Sequence, residues 1–88
     1  MELSTREKIE YLEALLNTIK RNIFQYQMTI AQYTGYEEKG EVTKDHMQNM
    51  TKFKSMLIFN EREYEFYTPL LAELKAKETL ELPVSETK

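Results

Sequence analysis

The sequence predicts an all-α protein in which two long antiparallel helices, about residues 5–34 and 44–80, form a helical hairpin that pairs into a four-helix bundle. Three observations support this expectation. Only two glycines and two prolines occur in 88 residues, a sparing use of chain breakers that suits helices better than the frequent turns of a sheet protein. Each half of the chain carries an apolar seam whose members recur at alternating intervals of three and four residues. The two seams also fit one another when the chain is folded back near Lys39.

The first helix has a start signal in Ser4-Thr5-Arg6-Glu7, where the serine hydroxyl can accept the Glu7 amide while the Glu7 carboxylate accepts the Ser4 amide. Its seam reads Ile9, Leu12, Leu16, Ile19, Ile23, Tyr26, Ile30 and Tyr33. A mean interval near 3.5 residues keeps such a stripe on one side of a gently supercoiled helix about 30 residues, or ~45 Å, long. Thr34-Gly35 is the expected end of this helix, and Gly40 punctuates a polar connection over Tyr36 to Glu41.

Thr43 is the expected N-cap of the second helix, with Asp45 in the first turn where the helix dipole favours negative charge. The second seam is His46, Met50, Phe53, Leu57, Asn60, Tyr64, Tyr67, Leu71 and Leu74. Folding back sets Ile9 against Leu71, Leu16 against Tyr64, Ile23 against Leu57 and Ile30 against Met50. It also sets Leu12 against Tyr67 and Tyr26 against Phe53. Pro69 lacks an amide proton and its ring strikes the carbonyl four residues back, so a kink is expected there, with a restart capped by Thr68 as the other outcome. Residues 1–80 make one hairpin domain, and residues 81–88, with Leu82-Pro83-Val84, read as a flexible C-terminal tail.

Composition narrows the function. A formal charge of -3 and a pI near 5.2 repel phosphate at long range, so nucleic-acid binding through Lys20, Arg21, Lys52 and Lys54 works against the background and is not expected. No cysteine is present, which removes disulfides and thiolate chemistry. The lone His46 has Thr43, not a glutamate, three residues before it, and no phosphate-binding or nucleophile motif occurs, so neither enzymatic activity nor a cofactor or metal is expected. No apolar run is long enough to span a bilayer and Met1-Glu2-Leu3-Ser4 does not open a secretion signal, so no membrane contact and a cytoplasmic location are expected.

The candidate site is apolar surface outside the seams. Met56, Phe59, Phe66 and Leu70 form a second stripe interrupted by Glu63, and Phe24, Met28 and Ala31 lie off the seam of the first helix. A hairpin of two helices buries one stripe per helix, so these seven residues are expected to contact protein. The expected occupant is a second copy, giving a homodimer in which the hairpin serves as a structural or assembly element. A second reading is a small adaptor or inhibitor, of the kind phages encode, that lays the stripe against a larger protein and modulates it. A return of the segment after Pro69 over the stripe is a third. Asn60 on a seam position is expected to specify register or oligomer state. Tyr26, Tyr33, Tyr64 and Tyr67 are core residues by position, leaving Tyr11 and Tyr36 for a partner.

Overall fold

A computed structural model describes residues 2–81 of the chain. Its two helices, α1 (Thr5–Glu38) and α2 (Lys44–Glu81), form a single antiparallel hairpin 14 Å across in its thinnest direction, with no strand among the described residues. Among the described residues no helix is long and apolar enough to cross a membrane. The expected tail lies outside the described residues apart from Glu81, which is the last residue of α2.

The capping box forms as the sequence implies. The Glu7 amide donates to Ser4 Oγ at 3.1 Å, and the Ser4 amide donates to Glu7 Oε1 at 2.9 Å. The Glu7 carboxyl is held below its ordinary value, first by that backbone donor and then by the Ser4 side chain.

The expected end of α1 at Thr34-Gly35 is corrected: the helix passes through Gly35 and ends at Glu38. Glycine costs a helix interior about 1 kcal/mol relative to alanine and does not forbid it. The next turn is secured by packing, since Tyr36 lies on Tyr33 and on His46 of α2, with ring centroids 6.2 and 5.5 Å apart. The true stop is Gly40 at φ 71. Its amide donates to the Glu37 carbonyl at 3.0 Å and the Glu41 amide to the Tyr36 carbonyl at 2.9 Å, the paired bonds of a Schellman motif. Tyr36 is therefore a helical residue packed at the seam end, not a connection residue free for a partner.

Thr43 caps α2: the His46 amide donates to Thr43 Oγ1 at 3.1 Å, and His46 Nδ1 accepts the Thr43 amide at a long 3.5 Å. The histidine thus occupies the place that glutamate takes in the Ser4 box. Further on, α2 runs through Pro69 without a break, which removes the restart at Thr68 and the return of residues 69–80 over the stripe. The Glu65 carbonyl loses its helical donor to the proline, but both residues are exposed, so water can satisfy it. Thr68 Oγ1 donates instead to the Tyr64 carbonyl at 2.6 Å.

Every residue of both seams is buried or half-buried. The register is fixed at several levels. Tyr26 meets Phe53 at 6.0 Å between ring centroids, Glu13 pairs with Lys75 at 3.1 Å, and Arg6 grips Glu78 with two contacts of 2.7 and 3.0 Å. These ion pairs are partly exposed and add about 0.2–1 kcal/mol each, so the seam carries most of the stability. That seam is thin: among the described residues the buried apolar side chains are Ile9, Leu16 and Ile19, with Asn60 the one buried polar residue.

Candidate functional site

The two broad faces of the hairpin differ. One carries an open groove of about 560 Å³ beside Leu16, Tyr64 and Leu71, edged by Glu13, Lys20, Thr68 and Lys75. Lys20 Nζ sits 5.8 Å from the Tyr64 ring centroid at its margin. The opposite face carries Asn22, whose amide group meets Asn60 in the seam.

Helical spacing divides the seven candidate contact residues between these faces. Met56, Phe59, Phe66 and Leu70 of α2 fall on the Asn22 face, where Phe59 is 59% and Phe66 63% exposed, Met56 is exposed and Leu70 is half-buried. Phe24, Met28 and Ala31 of α1 fall on the groove side and are exposed. The sequence pattern joined them because each lies off its own seam, yet no single flat partner covers both sets. Each set has neighbours outside the seven. Tyr11, already left for a partner by its position, shares the Asn22 face with Leu15, which the pattern missed, as it missed Ile58 and Met47 on the groove side. The signal was present in the same three-and-four spacing applied to positions beside the seam.

Asn60 is 5% exposed and fully satisfied. Its Nδ2 donates to the Met56 carbonyl at 2.8 Å, and its Oδ1 accepts from Asn22 Nδ2 at 3.5 Å. Asn22 stands one position outside the α1 seam, so a list of seam pairs does not find it.

At the connection end an aromatic stack joins the helices. Tyr33 lies 5.3 Å from His46 and 5.9 Å from Phe53, ring centroid to ring centroid, and Tyr36 packs against both Tyr33 and the imidazole. Gln32 Nε2 donates to the Tyr36 hydroxyl at 2.9 Å. These rings replace aliphatic packing where the seam is least buried.

No group of three or more His, Asp or Glu side chains that could hold a metal ion occurs among the described residues. The basic residues do not all share a face, because spacing puts Lys52 on the Asn22 face and Lys20 and Lys54 on the groove face. Comparisons with protein-family models, curated proteins and solved structures gave no match to this chain.

Proposed function

We propose that this protein is a non-enzymatic interaction module: a coiled-coil-like hairpin that self-associates and serves as a structural or assembly element. The observation that supports it is a contrast between the two helices. Among the described residues the buried apolar side chains are three residues of α1, while two phenylalanines of α2 stand more than half exposed a third of a turn from the seam. Burying a large apolar side chain stabilises by about 1.5–3 kcal/mol, so covering Met56, Phe59, Phe66 and Leu70 adds a contribution on the scale of a small domain's net stability. A second copy supplies the matching surface at the chain's own concentration.

The groove side favours a second, compatible reading. Phe24, Met28 and Ala31, with Ile58, remain uncovered when α2 is paired through the Asn22 face, so they offer a contact for a different, larger protein. The hairpin would then act as an adaptor or inhibitor. Solution mass by sedimentation equilibrium over a wide concentration range tests self-association. An oligomer supports it, and a monomer at every concentration overturns it and leaves the adaptor.

A further inference from the structure

We propose that the occupant of the α2 stripe is α2 of a second copy, packed antiparallel about a two-fold axis at Glu63. The inference rests on the self-association reading and specifies its geometry.

The stripe is longer than its apolar part. Lys52, Met56, Phe59, Glu63, Phe66, Leu70 and Glu73 alternate by four and three residues along one side of α2, the spacing that α1 and α2 use to pair within the hairpin. About Glu63 it is chemically symmetric. Met56 mirrors Leu70, Phe59 mirrors Phe66, and Lys52 mirrors Glu73 with opposite charge. An isologous antiparallel contact sets each residue against its mirror on the other copy, so every such pair occurs twice. Apolar then meets apolar, and each Lys52 meets a Glu73. Both charged residues are exposed, and neither is engaged in an ion pair among the described residues.

Other alignments fail on charge. A shift of one heptad in one direction puts Met56 against Glu63 and Lys52 against Phe66; in the other it puts Leu70 against Glu63 and Phe59 against Glu73. Parallel pairing opposes Lys52 to Lys52, Glu63 to Glu63 and Glu73 to Glu73. The antiparallel two-fold leaves one unfavourable meeting, Glu63 with its own copy at the axis, beside Arg62. Because the axis is perpendicular to α2, both α1 helices lie on the same side of the α2 pair, giving four helices in one bundle.

Lys52→Glu and Glu73→Lys test this geometry by sedimentation equilibrium at low ionic strength, singly and mixed in equal amounts. Each variant alone opposes like charges at two places and is expected to weaken its dimer about tenfold or more. Mixed, the two variants restore opposite charges at both places and recover the native mass as a heterodimer, which also shows that each is folded. A native dimer indifferent to both reversals, or weakened variants that do not rescue each other, overturns the antiparallel two-fold while leaving self-association standing. A native chain that is monomeric throughout overturns both.

Discussion

Asn22 and Asn60 meet across the hairpin at 3.5 Å, and the second of them is the only buried polar side chain among the described residues. Asn60 Nδ2 keeps the Met56 carbonyl of its own helix in any alignment, but Oδ1 has a donor only where Asn22 faces it, so other alignments are penalised by the desolvation of an unpaired acceptor, about 1–3 kcal/mol. The register that the apolar spacing permits is thereby made specific. Asn60→Leu is expected to raise the urea midpoint, by about 1 kcal/mol of stability, and to loosen the alignment. The chain has no cysteine, so introduced pairs report on register without interference. Ile23→Cys with Leu57→Cys should cross-link as the dominant species in the native background, and Ile23→Cys with Tyr64→Cys should gain cross-linking only with Asn60→Leu. A less stable Asn60→Leu chain confined to the native register would contradict this role.

The two glycines make opposite predictions. Gly40 holds a φ of 71, a conformation that costs a non-glycine residue roughly 1–2 kcal/mol, so Gly40→Ala should lower the melting midpoint. Gly35 is helical and an added Cβ would meet nothing within 4 Å, so Gly35→Ala should stabilise by about 0.5–1 kcal/mol. Thermal melts of the two variants decide it, and a destabilised Gly35→Ala would return the helix end to Gly35.

Pro69 lies inside α2 and withholds one amide from its ladder. Pro69→Ala restores a donor for the Glu65 carbonyl and should stabilise by up to about 3 kcal/mol, read as a higher denaturant midpoint with unchanged helix content. A loss of stability would mean that the proline's local geometry is needed by the packing of Leu71 and Leu74.

The capping box at the start of α1 carries a pH signature. The Glu7 carboxyl lies below its ordinary 4.5 in the folded chain, because the Ser4 amide donates to its charged form. A depressed folded value means that the contribution is complete above 4.5 and fades as pH falls through the lower folded value. The stability gap between the native chain and Glu7→Gln should therefore be present at neutral pH and close on acidification. A gap that widens as pH falls would contradict the sign.

Much of this fold was legible because its determinants are local or periodic. The Ser4 box, the Thr43 cap and both seams follow from spacing, and the pairing of Tyr26 with Phe53 follows from aligning them. The end of α1 was not legible, since Gly35 and Gly40 are the same residue type and only the contact of Tyr36 with His46, distant in sequence, decides which one stops the helix. The Asn22 partner was hidden for a related reason: its side chain reaches the seam from a flanking position. The candidate contact residues could be listed from one helix at a time, but their division between two faces depends on how the helices sit side by side.

The self-association of α2 through its exposed phenylalanines is tested most directly by comparing the solution masses of the native chain and Phe59→Glu by sedimentation equilibrium, with circular dichroism to follow helix content. The native chain should be a dimer, and Phe59→Glu should be a monomer that remains helical, because Phe59 lies outside the intramolecular seam. A native dimer whose mass is unchanged by Phe59→Glu would contradict the proposed surface, and a native monomer at every concentration would contradict self-association itself.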